Sequence, residues 1–97
     1  MKTKKGKTAM PQIKYAHRFK KAYKHLPIDI QMKIKKAIQL LAENPRHPSL
    51  QTKPVQSFKG IYEARVDINY RMTYKRLPDD VLLVRFVAIH DEALKNP

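Results

Sequence analysis

Cysteine is absent from the chain. That excludes disulfide frameworks and thiolate metal sites, and it fits a cytoplasmic location. Glycine is nearly absent as well, with two residues in 97, so there is no glycine-rich loop to cradle phosphates. No apolar run approaches the ~18 residues that a membrane-spanning helix requires, so no membrane partner is expected. Acidic side chains are also scarce: eight Asp and Glu face twenty-one Lys and Arg, for a net charge of +13. What is present in ordinary amount is apolar surface. At 42% of the sequence it suffices for one core, and 97 residues allow one domain.

The positive charge is unevenly spread. Residues 1–36 hold twelve Lys and Arg and one acid, Asp29, whereas the remainder holds nine bases and seven acids. A field of this sign draws polyanions and speeds encounter with them. Nucleic acid is the first reading, and an acidic protein partner that masks the charge is another. A lysine-rich surface that only keeps the protein soluble is the third. The opening Met1-Lys2-Thr3-Lys4-Lys5-Gly6-Lys7-Thr8 is basic but has no apolar stretch behind it, unlike a secretory signal. Residues 1–9 are read as a flexible basic tail able to touch phosphates, and residues 10–97 as a single domain.

Periodicity gives the elements. Residues 11–15 suit a short strand, with Ile13 and Tyr15 on one face. Phe19, Ala22, Tyr23 and Leu26 recur at i, i+3, i+4, i+7, the stripe of a helix over residues 17–26. Pro27 breaks it. A second helix over 28–43 carries Ile30, Ile34, Ala37, Ile38 and Leu41 on one face, with Asp29 in its first turn. Pro45 and Pro48 stop it. Residues 44–60 are turn-rich, and after Gly60 the period becomes two.

Three strands then follow. In 61–66 and 70–76 the apolar faces must coincide, because a one-residue slip would put each core side chain in water. A loop of Asp67-Ile68-Asn69 meets that condition, with Asn69 expected in the left-handed conformation. The implied pairs are Val66 with Tyr70, Arg65 with Arg71, Ala64 with Met72, and Glu63 with Thr73. Pro78-Asp79-Asp80 makes the next turn. Residues 81–89 are nearly all apolar, as in a central strand, and Arg85 is the one polar interruption. The order βααβββ is α+β. The helical hairpin is expected on one face of a small, twisted, mostly antiparallel sheet.

Candidate chemistry lies on the strands. Facing arginines repel, so Arg65 opposite Arg71, with Lys75 and Glu63 nearby, suggests either a phosphate site or a solvated face on which Glu63 neutralises Arg65. His90, just past the central strand, can exchange protons near neutral pH or simply pack. Asp91 can orient its ring. His17, His25 and His47 show no metal-ligand spacing, so neither metal nor cofactor is expected. Tyr62, Tyr70 and Tyr74 share the inferred core face.

The chain resembles the RelE/ParE toxin superfamily. The resemblance runs from about Ile13 to Leu94. It is carried by the helical stretch from Phe19 to Pro27, by the stretch Glu43-Asn44-Pro45-Arg46-His47-Pro48-Ser49-Leu50, and by the strand Gly60-Ile61-Tyr62-Glu63-Ala64-Arg65-Val66. Asn69-Tyr70-Arg71-Met72-Thr73-Tyr74 and Val87-Ala88-Ile89-His90-Asp91-Glu92 complete it. The resemblance implies a small toxin of a type II toxin–antitoxin pair, with a cognate antitoxin as partner. It also implies, as in many RelE-type members, metal-independent cleavage of mRNA on the ribosome. Carried over by position, Arg71 would hold the scissile phosphate and Arg65 would support it. His90 would be the general acid or acid/base. Glu63 would be a carboxylate base or a partner of Arg65. Lys53, Lys59 and Lys75 would contact RNA. The family's alternative activity, inhibition of DNA gyrase, belongs to the ParE branch. A non-catalytic RNA- or protein-binding module of the same fold is the third expectation.

Overall fold

The computed structural model describes residues 11–97, so the expected tail over residues 1–9 lies outside the described residues. The elements are β1 (Gln12–Tyr15), α1 (His17–Lys24), α2 (Ile28–Glu43), a 3-10 turn at Pro48–Leu50, and β2 (Lys53–Pro54). Then follow β3 (Ile61–Arg65), β4 (Tyr70–Leu77), β5 (Val81–Ile89) and α3 (His90–Lys95). The five strands form one sheet in the order β1-β5-β4-β3-β2. Only β1 runs parallel to its neighbour, β5; the other three pairings are antiparallel. The apolar strand is therefore internal, with β1 on one side and β4 on the other, but the middle strand of the five is β4 and not, as its composition suggests, β5.

Both N-terminal helices pack on one sheet face. Ile30, Ile34, Ala37 and Leu41 of α2 are buried against Ala64, Met72, Tyr74, Leu82, Val84 and Val87. Phe19 is the buried residue of α1, with Ala22, Tyr23 and Leu26 partly buried beside it. The first helix ends at Lys24, two residues earlier than its stripe suggests. The N–H groups of His25 and Leu26 turn back to Ala22 and Tyr23, and Pro27 begins the next helix.

The β3–β4 register places Arg65 opposite Arg71, Ala64 opposite Met72, and Glu63 opposite Thr73, as the face-matching argument requires. The turn itself differs from expectation. Asn69 is not left-handed; among the described residues the non-glycine ones with positive φ are Gln51, Ser57, Asp79 and Asp80. Asp67 shapes the turn instead. Its carboxylate accepts the N–H groups of Asn69 at 2.8 Å and Tyr70 at 2.9 Å. A side chain that bonds the backbone two residues on substitutes for the left-handed residue. Lys33 of α2 reaches the same carboxylate at 3.2 Å, tying helix to turn.

Burial alone would raise the Asp67 pKa, but the Asn69 and Tyr70 N–H donors and Lys33 outweigh it, and the carboxyl titrates below its ordinary 3.8. A carboxyl lowered on folding adds stability above its unfolded pKa, and this is lost as pH falls through the folded one. Asp67→Ala is expected to cost about 1–2 kcal/mol near neutral pH. The charge-dependent part of that deficit should fade in urea unfolding as pH falls from 3.8 through the lower folded pKa. A deficit independent of pH would show that the charge does not organise the turn.

Tyr74 is fully buried and stacks on Tyr62 with centroids 5.6 Å apart. Its hydroxyl has Thr52 and Arg76 as polar neighbours but meets hydrogen-bond geometry with neither, and burial pushes its pKa up. An unsatisfied buried hydroxyl is costly. Tyr74→Phe is therefore expected to keep or raise stability, by up to ~1 kcal/mol, in urea unfolding. A clear loss would mean that the hydroxyl has a partner in solution.

The opposite sheet face is only partly open to solvent, contrary to one reading of its polar residues. The helix α3 and the segment through Pro97 pack on β4 and β5, and Ala93 is fully buried there. Beneath that cover Thr73 is inaccessible and Glu63 only 3% exposed. The sequence pattern ends at Ile89 and gives no sign of this helix.

Candidate functional site

Residues paired directly across a sheet point to the same side. Glu63, Arg65, Arg71, Lys53 and Lys75 therefore share the face away from α1 and α2. Lys53 is opposite Glu63, Lys75 opposite Ile61, and Arg71 opposite Arg65. Lys53 and Lys75 are exposed at its margin, and Lys59 is exposed in the turn leading into β3.

Arg71 is the best-anchored of these. Its Nε lies 3.6 Å from Glu63 Oε1, and its Nη1 donates to the Asp67 carbonyl at 2.7 Å and the Tyr70 carbonyl at 3.1 Å. Its side chain is 17% exposed against 4% for Glu63. Glu63 thus pairs with Arg71, diagonally across the hairpin, and not with Arg65 as the expected neutralising partner. A carboxylate this buried needs a cation beside it. Being covered, it is placed to orient Arg71 and not to take a proton from a bulky substrate. Nη2 of Arg71 has no hydrogen-bond partner among the described residues. It remains available to an incoming oxyanion.

His90 starts α3, and its N–H donates to the Asn69 carbonyl at 2.8 Å. That bond fixes the histidine backbone to the turn one residue from the Tyr70–Arg71 segment. The imidazole is 44% exposed, with Nδ1 3.4 Å from the 90% exposed Asp91 carboxylate. It borders a depression of about 460 Å³ with Ile68, Asn69, Tyr70 and Ile89. Arg65 borders a different one, about 220 Å³, with Lys33 and Lys36 of α2. The structure thus brings Arg65, Arg71 and Glu63 together by register. It ties His90 to the same hairpin end, but the His90 and Arg65 depressions are separate. Sequence reasoning missed Asp67 as the turn's organiser and Lys33 and Lys36 as further charge beside Arg65. The Asp-Ile-Asn loop carried the first signal; no strand pattern could carry the second.

Comparison with known proteins agrees with this architecture. Residues 13–93 match the family described as the ParE toxin of type II toxin–antitoxin systems. Among curated proteins none matches. Among solved structures, YafQ in the Escherichia coli DinJ–YafQ toxin–antitoxin complex is 25% identical, with a TM-score of 0.66, covering 86% of this chain and 96% of that one. The RelE–RelB complex from the archaeon Pyrococcus horikoshii gives 18% identity and a TM-score of 0.69, over 82% and 94% of the two chains. A YoeB/ParE toxin from Agrobacterium tumefaciens gives 15% and 0.71, over 81% and 98%. At those two identities the likeness is one of fold. With the family match covering most of its length, the chain belongs to the RelE/ParE family of toxins of type II toxin–antitoxin systems.

Proposed function

We propose that this toxin is an mRNA endonuclease that acts at the ribosome. The observation that carries the reading is Arg71: a guanidinium fixed by a buried carboxylate and two carbonyls, with one nitrogen unpartnered among the described residues, opposite a second arginine. Preset charge aimed at one spot is what a phosphoryl transition state requires. Arg65, Lys53, Lys59 and Lys75 supply the surrounding field for the RNA strand.

The chemistry is an internal transesterification. A ribose 2′-oxygen loses its proton to a base and attacks the adjacent phosphorus. The bond to the 5′-oxygen breaks as the new one forms. That leaving oxygen takes a proton from His90, giving a 2′,3′-cyclic phosphate and a free 5′-hydroxyl. The guanidinium of Arg71 holds the non-bridging oxygens, with Arg65 adding positive charge from the neighbouring depression, so the reaction calls for no metal or cofactor. The partner in the resting state is a cognate antitoxin, in keeping with the complexes formed by the related folds. No helix among the described residues is long and apolar enough to cross a membrane.

Inhibition of DNA gyrase is the second reading, favoured by the match to the ParE toxin family. Mapping RNA 5′ ends after induction in cells separates the two. New 5′-hydroxyl ends within translated mRNA are expected. DNA-damage signalling without such ends would reject the nuclease and favour gyrase.

A further inference from the structure

Arg85 interrupts an otherwise apolar strand, and neither the helix-facing core nor the proposed chemistry uses it. Its place in the sheet explains how it is aimed. Thr73 pairs with Phe86 and Tyr74 with Val84, which leaves Arg85 as the unmatched residue of a β-bulge. Bulges re-aim side chains next to functional sites. Here the result is specific: Arg85 Nε donates to the backbone oxygen of Pro97 at 3.1 Å. The hydroxyl of Thr73, wholly buried, donates to the same oxygen at 3.2 Å. Arg18 of α1 adds a third bond, to the Asn96 carbonyl, with its guanidinium 4.3 Å over the Phe86 ring.

Three donors from three elements thus close on the residues just past α3. That helix has six residues, well under the length at which a helix holds itself together in water. It is pinned at its start, where the His90 N–H meets Asn69, and beyond its end, at Pro97. With the far pin released, the His90–Asn69 bond and the buried Ala93 would be the anchors left, and the short helix could tilt about them, carrying the imidazole with it.

We infer that Arg85 and Thr73 are positioning residues whose shared grip on Pro97 holds α3, and through it the His90 side chain, in register with Arg71. This rests on the reading of His90 as the proton donor. The test is steady-state cleavage of ribosome-bound mRNA by the purified full chain and its variants. Arg85→Ala and Thr73→Val should each lower kcat by about tenfold to a hundredfold while KM stays within about twofold. Arg85→Lys, which keeps a donor for the same oxygen, should recover part of the loss. In a His90→Ala background Arg85→Ala should add less than about a twofold effect, since the two act through one group.

Full kcat in folded Arg85→Ala and Thr73→Val, alongside an inactive His90→Ala, would overturn the positioning role and leave the nuclease reading intact. A rise in KM with unchanged kcat, or additive losses in the double variant, would overturn it as well, making Arg85 an RNA contact. An active His90→Ala would remove His90 as the proton donor and this inference with it while leaving cleavage itself standing; no cleavage by the wild-type chain would remove the nuclease reading. If Arg85→Ala does not fold, Thr73→Val decides, since it deletes one hydroxyl from a side chain of nearly the same shape.

Discussion

Arg71→Ala is expected to lower mRNA cleavage by about 10²–10³-fold, the usual effect of deleting one preset donor to a transition-state oxyanion. A second consequence travels with it. Removing the guanidinium leaves Glu63, 4% exposed, as an uncompensated buried charge. Breaking such a pair from one side costs about 3–5 kcal/mol, a large share of what a small domain possesses. Lost toxicity in the single variant would therefore mix chemistry with unfolding. The combination Glu63→Gln with Arg71→Ala separates them. It removes the stranded charge and should regain much of the stability in urea unfolding, yet stay as inactive as the single variant. Arg71→Lys makes the complementary case: it keeps the charge near Glu63 but cannot span Glu63, two carbonyls and a phosphate at once. It should fold well and cleave poorly. A fully toxic, folded Arg71→Lys or double variant would remove Arg71 from the chemistry, while antitoxin binding by both would show that the rest of the toxin surface is intact.

Much of the scaffold could be read from the chain because the constraints were local or periodic. Ile30, Ile34, Ala37 and Leu41 specify one helical face, and they are buried. The β3–β4 register followed from a parity argument: any odd slip would have put Ala64 and Met72 on the wrong side. The apolar run from Val81 to Ile89 had to be covered on both edges, and it is an internal strand, although the middle of the five is Tyr70–Leu77. What stayed hidden depends on contacts between distant residues. Nothing in His90-Asp91-Glu92-Ala93-Leu94-Lys95 marks a helix strongly enough to predict a cover for the second sheet face. Its six residues are helical because Ala93 and Pro97 dock there.

That cover decides the partner of Glu63, which the sequence leaves open. On an open face the adjacent Arg65 and Arg71 are equally good partners for the carboxylate. Under α3 Glu63 is buried, and the guanidinium that reaches it is the one also held by the Asp67 and Tyr70 carbonyls. The turn shows the same limit. A left-handed Asn69 and an Asp67 side-chain bond close the same loop, and the sequence is compatible with both. The tie from Lys33 to Asp67 links the turn to α2, 34 residues away, a constraint invisible to any local pattern. The candidate site is thus legible as a set of residue types and opaque as a set of partnerships.

His90→Ala is expected to reduce cleavage by about 10²–10⁴-fold, the range for a positioned proton donor. Unlike Arg71, this residue can be removed at little structural cost. Its ring is 44% exposed, and its side-chain partner among the described residues is Asp91, itself 90% exposed at 3.4 Å. The backbone bond to Asn69 survives substitution. Stability should therefore change by less than about 0.5 kcal/mol, as for surface positions generally. His90→Gln should be nearly as inactive as His90→Ala: an amide can donate a hydrogen bond but cannot give up a proton to the leaving oxygen. Asp91→Ala discriminates further. A solvent-exposed ion pair contributes at most ~1 kcal/mol, so any orienting effect of Asp91 on the ring is limited to about a fivefold loss. A large loss in Asp91→Ala would instead place that carboxylate in contact with the reacting atoms. Should His90→Gln cleave mRNA at the wild-type rate, the proton must come from elsewhere, and the site would reduce to a phosphate clamp of Arg65 and Arg71, a geometry that serves RNA binding as well as cleavage.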